Sequence, residues 1–151
     1  MQTRLAPYLD TIDLVIDDTG IRFDSAPLAA LLEAKRGTDE RNALVDLVEL
    51  NRYSTATLRA VGFDSIAKLR SWVDALPAAS SLRADLTALD VLGVSSSAGS
   101  ARRDIFLGDA NANSFSAGDD DDLVDGGAGN DTLSGGAGSD TLTGGAGNDS
   151  L

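Results

Sequence analysis

The chain has 151 residues, with 12 Lys/Arg against 24 Asp/Glu, a formal charge of −12, no histidine and no cysteine. Those absences exclude disulfides, thiolate zinc sites, cysteine nucleophiles and Ser-His catalysis. So acidic a chain gives little support to a nucleic-acid role, and no run approaches the roughly 18 apolar residues of a membrane span.

The opening Met1-Gln2-Thr3-Arg4-Leu5-Ala6-Pro7 lacks the apolar core of a cleaved signal peptide. Ile12 to Ile16, then Asp17-Asp18-Thr19-Gly20, then Ile21-Arg22-Phe23 predict a β-hairpin with a glycine-closed turn. The acidic turn is a poor EF-hand loop. Placing Gly20 at loop position six puts Val15 first and Ala26 twelfth, where Asp and Glu are required. Ser25, Pro27 and the series Leu28, Leu31, Leu32 predict a capped helix ended by Gly37. A second helix starts at Thr38 or Asp39 and carries Leu44, Leu47 and Val48, and a short one near Thr55–Val61 stops at Gly62. Asp46 and Glu49 read as a solvent-facing edge of the second helix rather than a general acid/base pair. Asp64 or Ser65 caps a helix with Ile66, Leu69, Trp72, Val73 and Leu76 on one face, which places Trp72 in the core. Pro77 blocks its continuation, and a last helix spans Ser81–Val91. Ser95-Ser96-Ser97-Ala98-Gly99 is a short linker or the rim of the C-terminal segment.

From Gly99 the grammar changes. Gly126 to Ser134, Gly135 to Thr143 and Gly144 to Leu151 are successive copies of Gly-Gly-x-Gly-x-Asp-x-Leu-x, the last one residue short. Counting back in nines adds units starting at Ala117, Gly108 and Gly99, six in all. Position eight is then Phe106, Phe115, Val124, Leu133, Leu142 and Leu151, one apolar side chain per unit. Six units exceed the minimum of about three that a repeat stack needs. A flexible Gly/Asp linker would not keep both aspartate and apolar residues in strict register.

Position six reads Asp104, Asn113, Asp122, Asp131, Asp140 and Asp149. Glycines at positions one, two and four let the backbone turn its carbonyls inward, and calcium wants six to eight hard oxygen ligands. One turn cannot supply that many, but two stacked turns can. If each short strand reverses before the next turn, turn n faces turn n+2 across an 18-residue coil. That pairs Asp104 with Asp122, Asn113 with Asp131, Asp122 with Asp140 and Asp131 with Asp149. Asp109 and Asn111 add oxygen donors beside Asn113, whereas the Asp104 turn brings Arg102 and Arg103 and no glycine after Gly99. The reading is three good sites and at most a fourth, strengthening from Asp104 toward Asp149. Asp119 to Asp122 form an acidic run in which Asp120 stands at the third glycine position, and aspartate tolerates left-handed φ. Asp122 is in register for metal, and Asp119, Asp120 and Asp121 add charge, with one of them a candidate side-chain ligand. Ten carboxylates in residues 99–151 repel without a cation, so folding is expected to depend on metal.

With these motifs, residues 99–151 resemble the β-roll of RTX, or hemolysin-type calcium-binding, proteins. The resemblance implies a right-handed parallel β-roll in a secreted bacterial protein, exported unfolded by a type I system and folding outside in millimolar calcium. Carbonyls of positions two and four in one turn, and of one and three in the facing turn, would join the position-six carboxylates. Here that means Gly127, Gly129 and Asp131 against Gly144, Ala146 and Asp149, with Gly126 and Ala128 also candidate ligands. The neighbouring site would use Gly118, Asp120 and Asp122 against Gly135, Ala137 and Asp140. Nothing here matches the family's C-terminal secretion signal, so the chain is expected to be a piece of a longer RTX protein.

The expected fold class is α+β, with a mostly helical module over 1–95 and the β-roll over 99–151. Residues 1–92 are loosely similar to helical modules beside RTX arrays in large exoproteins. The self-processing module of some RTX proteins cleaves Asp-Pro, but the prolines here follow Ala6, Ala26 and Leu76. The expected function is a non-enzymatic, calcium-binding structural module whose helical part caps the roll, next to Phe106 and Phe115. The alternative is an adhesive or ligand-binding module of a large adhesin or toxin.

Overall fold

The computed structural model describes residues 2–17 and 20–151. The chain divides into two compact units, Met1–Leu76 and Pro77–Leu151, a boundary ahead of the linker expected over 95–99.

The first unit contains α1 (Gln2–Leu9), the hairpin β1 (Asp13–Asp17) and β2 (Gly20–Asp24), α2 (Ala26–Thr38), α3 (Glu40–Ala60) and α4 (Ser65–Ala75). The hairpin is antiparallel, with Leu14 opposite Phe23 and Ile16 opposite Ile21; the Asp18-Thr19 part of its expected turn lies outside the described residues. Leu28, Leu32, Leu47, Leu50, Leu69 and Trp72 make the core. Trp72 donates its indole N–H to Glu33 Oε1 at 3.1 Å, and Arg36 stacks over its ring at 4.9 Å.

Three expectations for this unit change, and α1 is an element the sequence did not predict. The opening segment is helical although Pro7 lies inside it, because Leu5 and Tyr8 share a face and both are buried. Ser25 makes no side-chain cap; the Ala26 N–H is met by Asp24 Oδ1 at 2.9 Å. The second and third expected helices are one 21-residue helix, α3. Its polar middle does not break it, because Asn51 Nδ2 donates to the Leu47 carbonyl at 2.9 Å and to the Ser65 carbonyl at 3.0 Å. The Ser65 hydroxyl returns a bond to Asn51 Oδ1, so a buried amide joins α3 to α4. Asp46, finally, is wholly buried rather than at a solvent edge: Arg4, Lys35 and the Tyr8 hydroxyl all bond its carboxylate. Burial alone would raise its pKa, but hydrogen bonds from Lys35, Tyr8 and Arg4 outweigh that and hold it below the usual carboxylate value.

The second unit starts with α5 (Ser81–Ala88), shorter than expected because Asp90 takes a left-handed φ of 54° and Val91 enters a strand. The strands are β3 (Val91–Gly93), β4 (Ile105–Leu107), β5 (Ser114–Asp119), β6 (Leu123–Ala128), β7 (Thr132–Ala137) and β8 (Thr141–Ala146). One parallel sheet runs β3-β4-β6-β8 and the other pairs β5 with β7, extended by single bridges from Ala98 and Ser150. Partners are 18 residues apart, as in Phe106 with Val124, Phe115 with Leu133 and Val124 with Leu142. Successive strands thus alternate between sheets, and the winding is a parallel β-roll.

Phe106, Phe115, Val124 and Leu133 are buried between the sheets, with the two phenyl rings stacked at 4.1 Å. Leu142 is half-buried and Leu151 exposed, so the core thins toward the last unit. The roll begins earlier than the nine-residue count. Val91 pairs with Ile105 and Leu92 with Phe106, a 14-residue step that no nonapeptide register reaches.

Stacking calls for glycine at position two of the later units, where the preceding coil's backbone passes too close for a side chain. Gly136 has a φ of 101°, and a Cβ there would overlap the Gly118 carbonyl of the preceding coil. Gly136→Ala should therefore destabilise the calcium-loaded roll by about 1–3 kcal/mol in thermal melts. Gly37 in α2 has open space and ordinary helical φ, so Gly37→Ala should stabilise the first unit by up to about 1 kcal/mol.

Candidate metal centre

The turns that connect the strands put position six of alternate units on two ladders, Asp104–Asp122–Asp140 and Asn113–Asp131–Asp149. The Asp104 N–H donates to Asp122 Oδ1 at 2.8 Å, Asn113 N–H to Asp131 Oδ1 at 2.8 Å, Asp122 N–H to Asp140 Oδ1 at 3.0 Å and Asp131 N–H to Asp149 Oδ1 at 2.9 Å. Each carboxylate thus spends one oxygen holding the coil before it, and its Oδ2 turns back over its own turn. These are the pairs the 18-residue spacing brings together.

What Oδ2 meets differs along the roll. In Asp104 it accepts the Ser100 N–H at 2.6 Å and the Ser100 hydroxyl at 3.1 Å. In the next turn, the Asn113 side chain is engaged by Asp109: its Oδ1 accepts the Asp109 N–H at 3.0 Å, and its Nδ2 donates to Asp109 Oδ1 at 3.1 Å. Asn111 also bonds Asp109, through its N–H and its amide, and these donors hold the Asp109 carboxyl below its usual value. Asp122 Oδ2 and Asp131 Oδ2, by contrast, are buried without a hydrogen-bond partner. A buried carboxylate oxygen left unpaired is costly and calls for a cation.

The backbone offers further oxygen at the same place. The space where a side chain on Gly126 would begin is bounded by Asp131 Oδ2 and the Gly144 carbonyl oxygen. Asp140 Oδ2 lies in the same way against Gly135, and Asp149 Oδ2 against Gly144. Left-handed φ at Gly118, Gly127 and Gly129 shapes the turns, and Asp120 fits the third glycine position with a φ of 78°. Ala128 and Ala146 pair across one coil step and Asp119 and Ala137 across the other; the Ala146 carbonyl accepts the Gly129 N–H at 2.8 Å. Among the described residues no three acidic side chains converge on one point. Any cation here would draw on carbonyls as well as carboxylates, a hard-oxygen donor set that suits calcium.

Position five escaped the sequence reading. Asp121 Oδ1 accepts the Ser139 N–H at 2.8 Å, and Asn130 Oδ1 accepts the Asn148 N–H at 2.9 Å, so each position-six ladder has an exposed bond beside it. The sequence signal for position five was the polar residue there in five of six units, all but Ala112.

Burial, and then the charges of Asp104, Asp140 and Asp120, push the Asp122 carboxyl up to about 6, against the lowering effect of the Asp104 N–H. A raised folded pKa gives stability that is fully present below the unfolded value and lost as pH rises through the folded one. In EDTA the roll should therefore gain β-type circular dichroism as pH falls from above 6 toward 4. With calcium the sign reverses, because metal needs the ionised carboxylate, and apparent affinity should fall below about pH 6.

The family model for the RTX calcium-binding nonapeptide repeat (4 copies) matches residues 98–133 and again 116–151. Comparisons with curated proteins and with solved structures match nothing.

Proposed function

This chain carries RTX calcium-binding repeats over residues 98–151, and from that premise we propose that it is a calcium-binding structural module of a secreted bacterial exoprotein. The observation that carries the reading is the pair of buried, unpartnered oxygens on Asp122 and Asp131, the latter facing the same space as the Gly144 carbonyl. Asp122 with Asp140, and Asp131 with Asp149, would hold the ions. Calcium would supply the positive charge and oxygen coordination that these turns lack.

The chain's own residues do the rest. The two position-six ladders align consecutive coils, and left-handed glycines bring their backbones close. Phe106, Phe115, Val124 and Leu133 exclude water between the sheets. In low cytosolic calcium the carboxylates repel and the six-residue apolar column is too small to fold alone. That favours export unfolded through a type I system and folding outside, as part of a longer RTX chain. We assign no catalysis to the module. No helix among the described residues is long and apolar enough to cross a membrane.

The helical part is proposed to cap the roll. Support comes from α5 leading directly into β3, which pairs with β4 at the start of the parallel sheet. Calorimetric calcium titration of the whole chain and of a chain lacking residues 1–90, which keeps β3, tests both claims. More than one equivalent bound by the whole chain, with weaker binding by the truncated one, is the expected result. No binding at millimolar calcium would remove the calcium reading, and equal binding by both would remove the cap.

A second reading, an adhesive or ligand-binding role for the first unit, is favoured by the hairpin. Leu14, Ile16, Ile21 and Phe23 are all at least half exposed on its one face. Pull-down of glycans or proteins with the first unit separates this role from a purely structural one.

A further inference from the structure

The first coil is built unlike the others. Both of its position-six functions are met by protein atoms: Asp104 Oδ2 is filled by the Ser100 N–H and hydroxyl, and the Asp104 N–H is held by Asp122. A cation already spans the step to the next coil on that side. Arg103 NH2 lies 2.6 Å from Asp121 Oδ2, 18 residues on, while Asp121 Oδ1 holds the Ser139 N–H of the coil after that. Arg102 bonds Asp90 at 2.8 Å, fixing the turn to the entry of β3. The donors left around Asp104 do not suit a calcium ion, because the oxygen that would bind it is occupied by Ser100 and its turn already carries two arginines paired with Asp90 and Asp121. Below this coil the arrangement inverts, with unpaired Oδ2 atoms on Asp122 and Asp131 and no arginine or lysine in residues 104–151.

We propose that Arg103 is a resident cation that takes the place of calcium in the first coil, so that β3, β4 and the start of β6 form a metal-independent template on which the calcium-dependent coils assemble. The proposal rests on the calcium reading of the later coils. In a repeat stack each unit contacts only its neighbours, so one end held without metal removes the nucleation step from calcium-driven folding. Arg103 suits the role because guanidinium stays charged at every relevant pH and its ion pair with Asp121 is three-quarters shielded on the arginine side.

The test is amide hydrogen exchange on the full chain in EDTA and in calcium. The probes are Ile105 N–H, bonded to the Asp90 carbonyl, and Thr141 N–H, bonded to the Asp122 carbonyl. Calcium should slow Thr141 exchange by at least about tenfold and Ile105 by less than about twofold. Arg103→Gln should make Ile105 exchange calcium-sensitive, whereas Arg103→Lys, which keeps the charge, should not. Equal calcium dependence at both probes in the wild-type chain would overturn the proposal, as would an Arg103→Gln chain in which Ile105 stays calcium-insensitive. These outcomes differ from failure of the calcium reading, in which neither probe in the wild-type chain responds to calcium and none binds.

Discussion

Asp131→Ala should raise the calcium concentration needed to fold the roll by about a hundredfold or more. The side chain has two separable jobs. Its Oδ1 accepts the Asn113 N–H at 2.8 Å, so alanine leaves that backbone group without its partner, at a cost of about 1–3 kcal/mol. Its buried, unpaired Oδ2 faces the space bounded by the Gly144 carbonyl and is the proposed metal ligand. Loss of groups that merely support a metal ligand typically costs 10–100-fold in affinity, so a ligand itself should cost at least about as much. Asp131→Asn keeps an acceptor for Asn113 but removes the charge, so it isolates the metal contribution. Fluorescence- or dichroism-detected calcium titration gives both midpoints. Wild-type midpoints for both variants would show that Asp131 holds no ion.

Asp46→Ala should destabilise the first unit by about 3 kcal/mol or more, the range seen when one partner of a buried ion pair is removed. For a unit this small that corresponds to a fall in melting temperature of about 15 °C. The carboxylate is fully buried and binds α1 through Arg4 and Tyr8 and α2 through Lys35, so three elements lose their common anchor. Because its pKa is held below the usual value, its contribution is present at neutral pH and lost as pH falls through the folded pKa. This is opposite to Asp122, so acid should loosen the first unit while it tightens the metal-free roll. A surface carboxylate would cost under about 0.5 kcal/mol on substitution. A thermal melt of the variant therefore decides between the buried anchor and a solvent-facing edge.

The roll was legible because its two periodicities are strict. One apolar residue and one Asp or Asn every nine positions fixed the strands, the 18-residue coil and the position-six pairs. The hairpin was legible because Leu14, Ile16, Ile21 and Phe23 alternate on paired strands. What escaped depended on tertiary contacts that leave no period. β3 joins at a 14-residue step. α1 was not predicted at all, and its anchor lies 38 residues away at Asp46. Asp46 itself is one polar residue in an apolar face, and only its three partners explain it. Arg103 looked like a defect in a degenerate repeat until its ion pair with Asp121 gave it a function in the stack.

The most direct test of the central claim is circular dichroism of the whole chain during a calcium titration from EDTA. The coils beyond the β3–β4 template should convert from disordered to β-structure, helical signal from the first unit should persist throughout, and magnesium should not substitute, since it prefers a tighter octahedron with retained waters. A spectrum unchanged by millimolar calcium would contradict the account.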